Sequence, residues 1–260
     1  ISLNLQTRIR CETKLKNYDL KNRKIITLHV RDFWFKNDNE KKNYRNANIN
    51  SYIELIKYLI NKDYLIFRIG THPCNKISLE DKNFINYPEL DIQSPELDLY
   101  LVENSEFFIG TSSGPRGIAE MFSKPTLITN SDDFSDLPIK KNDRVLYKKF
   151  KLNNKYLMIS ELLKLDADLF DPELYLDHFE IEENSNEEIL DAGIEFLENI
   201  EKKKFELSKK QKKFNFILKE KMKNYYTIND NNKLKYHIDS QKYIKRCKSM
   251  NGSACNMILN

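Results

Sequence analysis

The 260-residue sequence is poor in glycine, with six, and in tryptophan, with one. Scarce glycine excludes collagen-like and glycine-rich low-complexity chains. Neither GxGxxG nor GxxxxGK[ST] occurs, which removes the usual signatures of dinucleotide-binding and P-loop proteins. Cys11, Cys74, Cys247 and Cys255 form no CxxC pair, and the Cys247–Cys255 spacing fits no common zinc pattern. A structural metal is therefore not expected. No apolar run reaches the roughly 18 residues of a membrane-spanning helix, and no basic start leads into an apolar segment of the signal-peptide kind. With so few cysteines, a reducing cytoplasm is the expected compartment.

What remains is a chain 40% hydrophobic and 32% charged, enough for one large core or two modest ones. The net charge of +4 hides an asymmetry: residues 201–248 hold 16 Lys or Arg against five acids. A Lys-rich solvated helix is the ordinary reading of such a tail, and a contact with anionic membrane is the functional one. A nucleic-acid partner is not expected.

Lys24 to Val30 (KIITLHV) reads as a buried strand opening into a polar loop. A helix follows, capped by Asn50 or Ser51, with Ile53, Ile56, Leu59 and Ile60 on one face. Tyr64 to Ile69, Phe84 to Tyr87, Glu106 to Gly110 and Pro125 to Thr129 read as four more strands. Ser94-Pro95 starts a helix between the third and fourth, and Ile118 to Phe122 lies in another before the fifth. Such alternation predicts an α/β fold with a doubly wound, mostly parallel sheet of Rossmann type. From Asn142 onward it is lost, leaving a short helical pattern near Ile159 to Leu165 and a long one from Glu187 toward Met222. Ile189, Ala192, Phe196 and Ile200 form a stripe able to pack on the sheet. The last thirty residues read as poorly ordered. The expected domains are residues 1–24 as an N-terminal segment left from a truncated domain, 25–200 as the Rossmann-like body, and 201–260 as the basic helical tail.

Ligands of such sheets sit beyond the strand C-termini, and three of those ends carry polar chemistry. Gly110-Thr111-Ser112-Ser113-Gly114 joins a strand to a helix. Small residues admit an oxyanion, hydroxyls donate, and the helix N-terminus adds about half a positive charge. An ordinary tight loop is the competing reading. His29-Val30-Arg31-Asp32 ends the first strand, where Arg31 can grip a phosphate and His29 can donate to one or carry a proton. The plain alternative is an Arg31–Asp32 surface pair beside a half-buried histidine. Arg45 and Asn46 before the first helix, and Arg68 with Gly70 after the second strand, can line the same cleft. Asp98 reads as a solvated helix residue, Trp34 as packed, and His72, His178 and His237 as unrelated to metal.

In order along the chain, His29 to Asp32, Arg45 to Asn48 with Tyr52 and Ile56, Arg68 to Gly70, and Phe107 to Gly114 through Pro125 to Asn130 resemble a bacterial family of glycosyltransferases. The resemblance covers residues 25–165, including Leu137-Pro138 and Ser160 to Leu163, and corresponds to the C-terminal half of a GT-B fold. His29-Val30-Arg31-Asp32 is similar to the H-x-R-x-D motif of GDP-fucose-dependent fucosyltransferases, with the Asp one position early. The turn from Ile109 to Ala119 is similar to the nucleotide-sugar loop of lipopolysaccharide heptosyltransferases, with Arg116-Gly117 where that group has a histidine.

The resemblance implies a nucleotide-diphospho-sugar donor, an acceptor on a cell-surface polysaccharide or lipid-linked glycan, no metal or other cofactor, and action at or near the inner membrane. It casts His29, Arg31 and Asp32 as catalytic. Arg45, Asn46, Arg68, Gly70, Gly110, Thr111, Ser112, Ser113 and Gly114 become substrate-binding residues. Two other readings stay open: a nucleotide-sugar epimerase of the same fold, whose loops the Thr-Ser-Ser-Gly turn also resembles, and a non-catalytic nucleotide-binding module.

Overall fold

Lys24–His29 forms the first strand, β1, because its β-branched and apolar residues can be buried on both sides of a sheet. In the computed structural model, residues 2–18, 20–34, 44–134, 140–162, 179–203 and 206–229 are described. Leu137-Pro138, Leu163, His178, His237, Cys247, Cys255 and the tail beyond residue 229 lie outside them. Strands β2 (Tyr64–Arg68), β3 (Phe84–Asn86), β4 (Phe107–Gly110), β5 (Thr126–Ser131) and β6 (Arg144–Tyr147) complete a sheet of order β3-β2-β1-β4-β5-β6. Every neighbouring pair in it is parallel. This is a Rossmann-like order, in which the chain leaves β1 toward one edge and resumes on its other side at β4.

Strand alternation supplies two cores. Ile25, Leu65, Phe67, Phe108 and Ile128 face helices α1 (Leu5–Lys14), α3 (Pro95–Asn104) and α4 (Gly114–Met121). Ile26, Leu28, Ile66, Phe107 and Leu127 face α2 (Ile53–Ile60) and, past the short α5 (Ile159–Leu162), α6 (Asn186–Glu201). The predicted stripe does pack here: Ile189 and Phe196 are buried, and the Phe196 ring meets Phe107 edge-on at 5.3 Å. On the other face α1 is anchored to α3 by Arg8–Glu103 at 2.6 Å and by Arg10–Glu96.

Several boundaries differ from expectation. A 3-10 turn, Ile49–Tyr52, precedes α2, and its cap is Asn48, whose Oδ1 accepts from the Asn50 amide at 3.0 Å, not Asn50 or Ser51. Alternation continues beyond Asn142, since β6 is a sixth parallel strand. It is an edge strand of four half-exposed residues, too short and polar to show as an apolar run.

A second sheet, β8-β7-β9, was not anticipated; it comprises β7 (Lys149–Leu152), β8 (Lys155–Tyr156) and β9 (Glu180–Glu182). Asn153 and Asn154, both at positive φ, make the two-residue hairpin loop between β7 and β8. The long helical pattern is two helices, α6 ending at Glu201 and α7 spanning Lys209–Asn229. Helix α7 is held to the body by Gln211 to Glu195 at 2.7 Å, by the Phe214 and Tyr147 rings, and by buried Leu218. No described helix is long and apolar enough to cross a membrane.

Helix α6 is fixed to the end of β5 by a buried polar lock. Asn130, at φ 53°, donates its amide to Asn184 Oδ1, and the Asn184 amide donates to Asn130 Oδ1, each at 2.7 Å. Asn184 Nδ2 also donates to the Tyr147 carbonyl at 2.9 Å, and Asn130 Nδ2 to the Tyr52 hydroxyl at 3.1 Å. Asparagine tolerates the left-handed backbone, and its amide replaces the ladder bonds lost there. Asn184→Ala removes the acceptor of the buried Asn130 amide, so the denaturation midpoint should fall by the equivalent of about 1–3 kcal/mol.

Asp98 of α3 is half-buried, and its Oδ1 is enclosed without a hydrogen-bond partner. Burial raises its carboxyl from the ordinary 3.8 to about 7. The folded protein therefore holds this proton more tightly than the unfolded chain, and stability falls as pH rises from about 4 to about 7. In thermal melts Asp98→Asn should be more stable than the parent at pH 8, with the difference closing at pH 4.

Candidate functional site

β1 and β4 are paired to their last residues, with His29 opposite Gly110. The Thr111 amide donates to the His29 carbonyl at 3.0 Å, and the Arg31 amide donates to Thr111 Oγ1 at 3.0 Å. The strands stay this close because residue 110 is glycine. A Cβ there would stand 2.5 Å from the His29 carbonyl oxygen and 2.9 Å from the Phe108 ring. This junction is the point at which the chain reverses its progression across the sheet, where the ligand crevice of such folds opens.

Above the junction His29 and Ser113 meet, Nδ1 to Oγ at 2.9 Å. Ser113 is the N-cap of α4, yet its hydroxyl makes no cap bond because it is turned to His29. The first turn of α4 thus keeps its partial positive charge, and a Cβ added at exposed Gly114 or Gly117 would touch nothing within 4 Å. Thr111 is fully buried, and Ser112 is half-buried on the same turn.

The His29 imidazole is pushed down to about 4, first by its enclosure and then by the Arg68 and Arg31 guanidinium groups. It is therefore neutral near pH 7. Arg31 is 6% exposed, and its carbonyl accepts from the Ala47 amide at 3.0 Å, tying the segment of Arg45 and Asn46 to the end of β1.

Asp32 does not form a surface pair with Arg31. It faces Arg68 at 3.6 Å and accepts the Asn75 amide at 2.7 Å and the Trp34 amide at 3.2 Å. Arg68, only 2% exposed, donates to the Asn75 carbonyl at 2.7 Å and to Asn86 Oδ1 at 3.3 Å. Together they fold the loop after β2 back over the strand ends, and their charges act on the site from behind. Gly70, at φ 140°, lies beside the His29 ring, which a Cβ would meet at 3.6 Å. Trp34 is not packed into the core: it is 46% exposed, its ring tilted 33° against that of Phe33 at 4.6 Å between centroids.

The structure thus gathers His29, Arg31, Gly70 and Gly110 to Gly114 around one junction, with Asp32 and Arg68 as a supporting pair. Arg45 and Asn46, both half-buried, stand to one side. Sequence reasoning missed Lys148. It is 5% exposed, and its Nζ donates to the Asn46 carbonyl at 2.7 Å. Burial lowers its ammonium pKa, opposed by Glu183 and Asp132. Its position directly after a strand was the available signal, hidden among 43 lysines and arginines. Among the described residues no group of three His, Cys, Asp or Glu is arranged to hold a metal ion.

Gly110→Ala drives a methyl group into the β1 backbone, so it should cost at least about 1–3 kcal/mol in denaturant unfolding. Gly114→Ala, in open space, should cost well under half as much by the same measurement. Comparison of the chain with protein-family models, with curated proteins and with solved structures finds no match.

Proposed function

We propose that the protein is a glycosyltransferase that binds a nucleotide-diphospho-sugar, and that this domain corresponds to the C-terminal half of a GT-B fold. The observation that carries the reading is the junction of β1 and β4. A buried arginine, a neutral histidine bonded to a serine, and a helix N-terminus without a side-chain cap converge there on the ligand crevice of the sheet. Diphosphate is the ligand class that suits these groups, because both the guanidinium and the helix end favour oxyanions.

In the proposed reaction the bond between the anomeric carbon and the distal phosphate oxygen breaks, and its electron pair stays on that oxygen. The acceptor hydroxyl bonds to the anomeric carbon, and its proton is released to solvent water. Arg31 and the Thr111 to Gly114 turn stabilise the charge growing on the diphosphate. Arg45 and Asn46, steadied from behind by Lys148, border the remainder of the donor. The acceptor proposed is a cell-surface polysaccharide or lipid-linked glycan. The exposed Lys209, Lys210, Lys212 and Lys213, with Phe216 at 64% exposure on the same helix, support an anionic-membrane contact on the cytoplasmic side as a lesser part of the proposal. No nucleic-acid partner is proposed.

Thermal melts with GDP, UDP, ADP and CMP should show stabilisation by at least one nucleoside diphosphate, since a ligand of the native state raises Tm. By calorimetry, Arg31→Ala should lose about 1.5–3 kcal/mol of affinity for it, roughly ten- to a hundredfold, the range for a charge-assisted hydrogen bond. An unchanged affinity removes Arg31 from the site. Interconversion of a sugar nucleotide in the absence of any acceptor would replace the transferase reading with an epimerase.

A further inference from the structure

We propose that Phe33 and Trp34 form the platform on which the base of a bound nucleoside diphosphate stacks. The inference rests on the diphosphate reading above and adds to it the place of the nucleoside.

Two large aromatic side chains stand exposed directly after the residues of the junction. Phe33 is 55% exposed and Trp34 46%, whereas Phe67, Tyr87, Phe107 and Phe108 of the sheet region are buried. The two rings lie against each other at 4.6 Å between centroids, tilted by 33°. Aromatic area of this size gains much when it is covered, and a second flat ring is a geometry it favours.

The turn that carries the pair is fixed to the site. Asp32 Oδ1 accepts the Trp34 amide at 3.2 Å, closing an Asx turn. Oδ2 of the same carboxylate faces Arg68 at 3.6 Å and accepts the Asn75 amide at 2.7 Å. Arg68 in turn acts with Arg31 on the His29 ring. Trp34 is therefore tied through Asp32 and Arg68 to the junction where the diphosphate is placed. Along the chain it is also near: three extended residues span at most about 11 Å, and the turn shortens the step from Arg31 to Trp34. A nucleoside whose diphosphate is held by Arg31 reaches that far.

Polarity decides between a base and a sugar ring as the occupant. A sugar needs partners for its hydroxyl groups, and beside this turn the polar groups are spent. Both Asp32 oxygens accept, and Arg68 donates to the Asn75 carbonyl and to Asn86 Oδ1. What the turn offers is π surface, and every base has a π face to lay on it. Such stacking favours nucleoside diphosphates over bare pyrophosphate without choosing among bases.

Trp34 is the single tryptophan of the chain, so its fluorescence reports on the platform directly. The test is fluorescence titration and calorimetry of the full chain with GDP, UDP and inorganic pyrophosphate, with thermal melts to show which of them binds. Emission should be quenched by GDP or UDP and unchanged by pyrophosphate, a comparison that needs no variant. Trp34→Ala should weaken binding of the nucleoside diphosphate about five- to a hundredfold, the range for base–aromatic stacking, and leave pyrophosphate affinity as it was. Trp34→Phe should restore most of the loss. Where the melts show GDP or UDP bound, an unchanged affinity of Trp34→Ala overturns the platform and leaves the diphosphate site standing. An equal loss for pyrophosphate also overturns it, since Trp34 then serves the anion site. Emission altered by a neutral oligosaccharide such as maltohexaose, and not by GDP or UDP, overturns it in favour of the acceptor. If pyrophosphate, GDP and UDP all fail to shift the melt, the diphosphate reading falls and the platform with it.

Discussion

Because residue 110 has no Cβ, the carbonyl of His29 comes close enough for β1 and β4 to stay paired up to the loops that follow them. Had the strands parted one residue earlier, the Thr111 amide would not reach the His29 carbonyl, nor the Arg31 amide the Thr111 hydroxyl. Those two bonds set the direction in which each loop leaves the sheet. They bring the N-terminus of α4 over the end of β1, and so bring Ser113 to His29. Mutual placement of a histidine, an arginine and a helix end thus follows from one steric fact at the reversal point of a parallel sheet.

The electrostatics follow from the same packing. Arg68 and Asp32 are a nearly buried pair at the strand ends, each further bonded to the loop that covers it. Breaking such a pair leaves an uncompensated charge in a poor solvent, which makes it a stiff support. Its residual positive field and that of Arg31 fall on His29. The helix end adds to them, since its cap serine is engaged elsewhere. A crevice lined in this way favours anions before any particular ligand is considered.

The parallel strands were legible in the sequence because burial on both faces permits few polar interruptions. β1, β2, β4 and β5 each present such a run between turn signals. β6 was not, since an edge strand of four half-exposed residues lacks that pressure. The β7–β8 hairpin does carry its signal, Lys-Phe-Lys-Leu followed by Asn-Asn. Its lysines alternate with an inward Phe150 and pair with Glu182 across the sheet. At the site, residues placed by strand ends were legible. Those whose roles depend on a returning loop were not: the partners of Asp32 and Arg68 lie at 75 and 86, positions that no local pattern links to them.

Lys148 and the Asn130–Asn184 lock show why position along the chain understates the site. Both lie near the carboxyl end of β5, and both reach toward segments that border Arg31. Lys148 holds the carbonyl of Asn46, one residue before the amide that bonds Arg31, so the 45–47 segment is gripped from both sides. The lock ties Tyr52 and Thr129 to the same strand end through the 2.6 Å contact of their hydroxyls. Buried polar networks of this kind tolerate little drift, because each member that moves leaves another unpaired. The 45–47 segment and the end of β5 are therefore held as firmly as the junction. A ligand gripped by Arg31 would meet a preformed surface there, and preformed surfaces cost least to bind.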